Sequence, residues 1–143
     1  MAWEKTLDLN GHTLTYNPTI DDTASGFNPN ALHPAIMVRA LRDLTVTDSK
    51  GGGKIVSKNK YTSAIQVGEA SSGNSNLVVE GGTIEAPTAI FPMSSTTVKV
   101  NGGNIKGSDF ALTTNGSYKD ITVTINNGTM NGRMYLAAGN GSK

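Results

Sequence analysis

Apolar side chains recur along the chain in short bursts at a spacing of two. Leu7 and Leu9, Leu44 and Val46, Leu77 and Val79, Val98 and Val100, and Val123 and Ile125 alternate with Asp8, Thr45, Val78, Lys99 and Thr124. Alternation of this kind puts the apolar set on one face of a β-strand and the intervening residues on the other. Glycine and asparagine follow each burst, as in Asn10-Gly11, Gly81-Gly82, Gly102-Gly103 and Asn127-Gly128. Then comes a second apolar position: Leu14, Ile55, Ile84, Ile105 or Met130. A third burst closes each unit: Ala35-Ile36, Ala64-Ile65, Ala89-Ile90, Ala111-Leu112 or Tyr135-Leu136. From Gly53 to Gly82, Gly103 and Gly128 the successive spacings are 29, 21 and 25 residues.

A unit of strand, glycine corner, short strand, turn and third strand cannot bury its apolar face alone. Stacked at the strand spacing, about 4.8 Å, successive units form one core lined by aliphatic columns. The pattern therefore predicts an all-β parallel solenoid of about five coils, three short strands per coil, in which residues 1–143 form one domain. Leu9, Val46, Val79, Val100 and Ile125 are expected to share a row. Two stretches break the register. Tyr16 to Pro34 is a long loop insertion carrying Pro18, Pro29 and Pro34, and loops of that length are commonly functional or disordered. Gly68 to Asn76 reads as a polar turn. Ala31 to Asp43 can be drawn as a helix, but a strand at Ala35–Val38 keeps the repeat register.

Leu-Asp-Leu-Asn-Gly-His-Thr-Leu near the start and Val-Glu-Gly-Gly-Thr-Ile later resemble coils of the pectate-lyase-like right-handed parallel β-helix superfamily. That group includes surface adhesins, autotransporter passengers, phage tailspikes and polysaccharide lyases. The resemblance implies a right-handed, single-stranded β-helix and covers nearly the whole chain. It speaks to fold more than to function, because the repeated residues are those that build the coil.

Composition narrows the function. The 143 residues carry a formal net charge of +1 with no basic cluster, which gives no electrostatic support for nucleic-acid or membrane-surface binding. There is no cysteine, hence no disulfide framework or thiol chemistry. No apolar run approaches the roughly 20 residues of a membrane-spanning helix, so no membrane insertion is expected. Met-Ala-Trp-Glu-Lys has no apolar leader. Production without a secretion signal, as for virion proteins, and excision from a longer secreted protein both fit.

The search for chemistry returns little. The column Asp8, Thr45, Val78, Lys99, Thr124 holds no carboxylate pair, and Asn10, Thr47, Glu80, Asn101, Asn126 holds one acid. Stacked asparagines of that kind more often form a structural ladder than a site. No catalytic residue is proposed. Asp21 and Asp22, with Asp43 and Asp48, are a weak candidate for Ca²⁺, against the plainer reading that they cap turns. Arg39 and Arg42 beside Asp43 could meet a carboxylated sugar or form a surface charge cluster of small worth. His12 and His33 lack metal-ligand spacing, and no cofactor is implied. Asn115, Asn127 and Asn140 match the glycosylation acceptor pattern but read as turn residues. Trp3, Tyr16, Asn17, Phe27 and Tyr61 are the candidate glycan-binding set, aromatic rings with amides nearby. The alternative is that Trp3 covers the open first coil, Phe27 packs the loop down and the tyrosines are ordinary surface.

The expected function is a non-enzymatic structural or binding module of a virion fibre, decoration protein or cell-surface adhesin. Its partner would be a glycan or a host or cell surface, and its location a virion or the extracellular surface. A polysaccharide lyase or glycoside hydrolase, or a plain spacer, are the alternatives. Five coils rise only about 24 Å, short for a polysaccharide-cleaving groove. A solenoid leaves backbone unpaired at both ends. The long loop folding over one end, a second copy in a homo-oligomer such as a trimer, or continuation of a longer β-helix could cover them.

Overall fold

The computed structural model describes residues 3–70, 74–114 and 117–136. Twelve strands, all parallel in their pairings, make up the regular structure, with no helix among the described residues. The strands are β1 (Trp3–Asp8), β2 (Thr13–Tyr16), β3 (His33–Val38), β4 (Arg42–Thr47), β5 (Lys54–Ser57), β6 (Thr62–Val67), β7 (Ser75–Val79), β8 (Thr83–Pro92), β9 (Thr96–Val100), β10 (Asn104–Thr113), β11 (Ile121–Ile125) and β12 (Thr129–Tyr135). One sheet runs β1-β4-β7-β9-β11, and a second runs β2-β5-β8-β10-β12 with β3 and β6 attached through β8. The chain is a parallel β-solenoid. Five passes through the first sheet enclose about four complete turns, one fewer than the five coils expected.

The three-strand coil holds only for the first two turns. From the third coil on, the second and third strands fuse into the ten-residue β8 and β10 and the seven-residue β12. The turn that separates β5 from β6, Lys58 to Tyr61, has no counterpart there, so the backbone stays extended through the bend.

Register confirms the columns, with two corrections. Val46, Val79, Val100 and Ile125 pair in sequence, as do Leu44, Leu77, Val98 and Val123. The first coil is displaced by two residues from the expected alignment: Leu7, not Leu9, stands beside Val46, and Lys5 stands beside Leu44. Leu9 is instead buried at the corner, where its side chain fills the space beside Gly53 and Gly82. A glycine corner leaves a hollow, and a leucine from the coil above occupies it. Leu14, Ile55, Ile84, Ile105 and Met130 form the second column as read from the sequence. Ile36, Ile65, Ile90 and Leu112 form the third, but its last rung is Met134 and not Leu136, because a bulge in β10 shifts the pairing with β12.

The core is these columns. Val46, Ile55, Leu77, Ile84, Ile90, Val98 and Ile105 are fully buried. Each aliphatic side chain of this size contributes about 1.5–3 kcal/mol by leaving water. Two corner devices repeat outside the core. Asn101 donates from Nδ2 to Glu80 Oε1 at 2.9 Å and accepts on Oδ1 from Asn126 Nδ2 at 2.8 Å, which is the expected asparagine ladder. Leu41, Asn74, Ser95 and Asp120 carry φ of 61°, 55°, 56° and 58°, and each immediately precedes the first strand of its coil. A left-handed residue thus turns the chain into every new coil from the second on.

Candidate functional site

The long loop, observed at residues 17–32 between β2 and β3, is ordered by a chain of small turns. Asp21 accepts from the backbone N–H and hydroxyl of Thr23, at 3.0 and 2.6 Å, and Asn28 Oδ1 accepts from Asn30 N–H at 3.0 Å. Two side chains pin the loop to the side of the second coil. Phe27 meets Tyr61 edge to face with centroids 4.7 Å apart. Asp22 accepts from Tyr61 Oη at 3.2 Å and pairs with Lys60 at 3.0 Å. The loop lies against the flank of the solenoid and does not cover its end, where Leu14 and Met37 stay exposed.

Between this loop and the third-strand side of the solenoid is a cleft of about 430 Å³. Pro29, Asn30 and Leu32 form the loop wall, and Tyr61, Phe91 and Phe110 bring an aromatic ring from each of three successive coils. Thr88, Asp109 and Thr113 supply hydroxyls and a carboxylate. Phe91 is 7% exposed, with Tyr118 against its edge at 6.2 Å. Phe110 owes its place to the bulge. Gly107 pairs with Ala86 and Phe110 with Thr88, so β10 spends three residues where β8 spends two. A Cβ on Gly107 would lie within 2 Å of the Phe110 carbonyl oxygen, so only glycine closes this bulge. Arg133, from the next coil, lays its guanidinium 4.5 Å from the Phe110 ring centre and donates from Nε to the Asp109 carbonyl at 3.1 Å. The ring is held by a cation–π contact.

Not all of the sequence-derived candidates meet at one place. Phe27 and Tyr61 meet, and Tyr61 lines the cleft. Tyr16 lines a separate cavity beneath the loop, of about 560 Å³, together with Phe27 and His33. Asn17 is exposed in the loop. Trp3 stands apart, 59% exposed at the first coil over Ile36, Met37 and Leu44, with Arg42 at 5.7 Å from its ring.

The carboxylates are committed to protein partners. Asp21 is held below its usual pKa chiefly by the Thr23 hydroxyl, and Asp22 chiefly by Lys60 and then Tyr61. No group of three or more His, Cys, Asp or Glu converges among the described residues. The Arg39-Arg42-Asp43 trio disperses: Arg39 pairs with Glu69 at 3.1 Å, Arg42 donates to the Leu41 carbonyl, and Asp43 accepts from Asn76 at 2.7 Å. Asp48, expected to belong with Asp21 and Asp22, instead clamps two corners by accepting from Gly11 and Gly53 N–H, each at 2.7 Å. Asn127 accepts from its neighbour's N–H as a turn residue, while Asn115 and Asn140 lie outside the described residues, as do residues 71–73 of the Gly68–Asn76 turn.

Phe91, Phe110, Asp109 and Thr88 were not singled out by the sequence pattern. One signal was available: six positions separate Ile105 from Ala111, against five from Ile84 to Ala89. An extra residue at a fixed point of a repeat marks a bulge, and bulges re-aim side chains.

By fold and site the chain is a parallel β-solenoid with an aromatic, loop-walled cleft on its flank. No family model, curated protein or solved structure matches it.

Proposed function

We propose that this protein is a non-enzymatic β-solenoid binding module whose aromatic cleft takes a carbohydrate. The supporting observation is the row Tyr61, Phe91, Phe110, three aromatic side chains from adjacent coils facing one cleft with threonines, Asn30 and Asp109 around them. Sugar rings have apolar C–H faces that settle on aromatic faces, while the surrounding hydroxyls and amides bond to polar groups at the rim. Hydrolysis of a glycosidic bond usually requires two facing carboxyl groups. Among the described residues Asp109 is the one acid lining this cleft, and Asp22, which contacts the cleft's Tyr61, is already paired with Lys60. That balance favours binding over cleavage and leaves lyase or hydrolase activity as the lesser reading. The resemblance to pectate-lyase-like β-helices, with their adhesin and tailspike members, suits display on a virion or a cell surface.

Binding to a glycan array, followed by calorimetry on the best oligosaccharide, tests this. Tyr61→Ala and Phe110→Ala should each weaken binding about tenfold or more, while Trp3→Ala, on another cavity, leaves it unchanged. Release of shortened sugars during the assay would instead support the enzyme.

A second reading concerns assembly. Among the described residues the exposed large hydrophobics are Trp3, Leu14, Met37, Leu41, Ile125, Met134, Tyr135 and Leu136. Each belongs to the first coil, to the turn leaving it, or to the last coil. The columns therefore end on uncovered rungs beside unpaired strand edges, which suits a further coil from a second copy or from a longer β-helix. Light scattering tests the first case: a concentration-dependent rise in mass is expected, and a constant monomer mass counts against it.

A further inference from the structure

On the other side of the same bend lies a second groove, of about 620 Å³. Ser57, Lys58, Glu85, Pro87, Lys106 and Asn131 line it. Strand pairing puts Val56, Glu85, Lys106 and Asn131 side by side on four successive coils. Groove and cleft are separated by single peptide bonds, at Pro87-Thr88 and at Ser108-Asp109. Their linings meet along the chain at the bend and the Gly107 bulge.

The charges in the groove are unspent. Lys58, Glu85 and Lys106 make no ion pair and no side-chain hydrogen bond among the described residues, whereas Lys60, in the neighbouring cleft, is paired with Asp22. Two ammonium groups against one carboxylate leave the groove net positive.

Resting on the carbohydrate reading of the cleft, we propose that groove and cleft form one trough for an extended oligosaccharide bearing sulfate or phosphate esters, with Lys58 and Lys106 holding the ester and Tyr61 and Phe110 holding a sugar ring. Lys106 stands beside Glu85, and Lys58 springs from two coils away and two residues further along the strand, roughly 12 Å from Lys106 at the strand spacing and rise, a span that two four-carbon stems can close. A tetrahedral ester presents three oxygens pointing in different directions, which two separate point charges can share. A planar carboxylate is better matched by the fork of an arginine, and among the described residues none lines the groove. Glu85, beside Lys106, accepts from a sugar hydroxyl and disfavours chains with charge on every ring.

Calorimetry with three hexasaccharides of one backbone, neutral, sulfated and uronate-containing, decides the matter. The sulfated chain should bind about tenfold tighter than the neutral one and should lose that margin in high salt. The Lys58→Ala/Lys106→Ala double variant should bring the sulfated chain down to the neutral affinity without changing the neutral chain. Glu85→Gln should tighten the sulfated chain. Circular dichroism on these variants checks that the fold is retained. Equal affinity for neutral and sulfated chains, a preference for the uronate chain, or an unchanged margin in the double variant would overturn this proposal while leaving the cleft reading standing. Failure of all three chains to bind would overturn the carbohydrate reading itself.

Discussion

Leu41 occupies a position that chemistry would ordinarily give to glycine or asparagine. Its φ of 61° places Cβ against the following carbonyl, a cost of about 1–2 kcal/mol for most side chains. Asn74, Ser95 and Asp120 fill the equivalent corner with short polar residues better suited to it. The Leu41 side chain is 57% exposed, so little burial compensates. Leu41→Asn should therefore stabilise the fold by about 1 kcal/mol, read as a rise in the urea midpoint at constant slope. The acids give a second expectation at this scale. Asp8 is held down chiefly by Ser49, Asp21 by Thr23, Asp22 by Lys60 and Glu69 by the Ala40 N–H. A group whose pKa is lower folded than unfolded supports the fold at pH values above its unfolded pKa, and that support fades as acid protonates it. Melting temperature should hold steady from neutrality to about pH 5 and decline below about pH 4, where unfolded carboxyls take up protons. A melting temperature that rises on acidification would contradict this.

Strands are where burial differs from rung to rung within one column. Ile84 is fully buried at the middle of the second column, and Leu14, at its head, is 38% exposed. Ile84→Ala should cost about 2–5 kcal/mol, since the coils above and below cannot close the hole. Leu14→Ala should cost about 1 kcal/mol, because solvent already reaches it. Chemical denaturation of the two variants measures the contrast, and equal losses would mean that the column is not continuous. The columns were legible because period-two alternation and glycine corners are local properties of the chain. Lys5 and Leu9 show where legibility stopped. Alternation alone permits a shift of two residues without changing which face is apolar, and only the neighbouring coil decides between the two registers. Fusion of the second and third strands was hidden for a related reason: an extended bend through Ala86-Pro87 and a turn through Lys58-Asn59-Lys60-Tyr61 can follow the same apolar bursts. The cleft was half legible. Tyr61 and Phe27 stood out as aromatics near a long loop, whereas Phe110 reaches the cleft through a bulge stabilised by contacts between coils.

At the scale of the whole molecule, each coil touches only its neighbours, so stability should fall off toward the ends. Amide hydrogen exchange is expected to be slowest in β8 and β10, which are flanked on both sides, and fastest in β1 and β12. Uniform protection across all strands would instead indicate that something covers the terminal rungs. The third and fourth coils carry one more property. From Ser75↔Thr96 through Val79↔Val100 and Ile84↔Ile105 to Gly107↔Ala86, every partner lies 21 positions away. The offset is constant as far as the bulge and rises to 22 beyond it, at Thr88↔Phe110 and Ile90↔Leu112, so a 21-residue coil copied in frame returns its first two strands to matching neighbours. The reach of the trough can thus be altered by one strand spacing at a time.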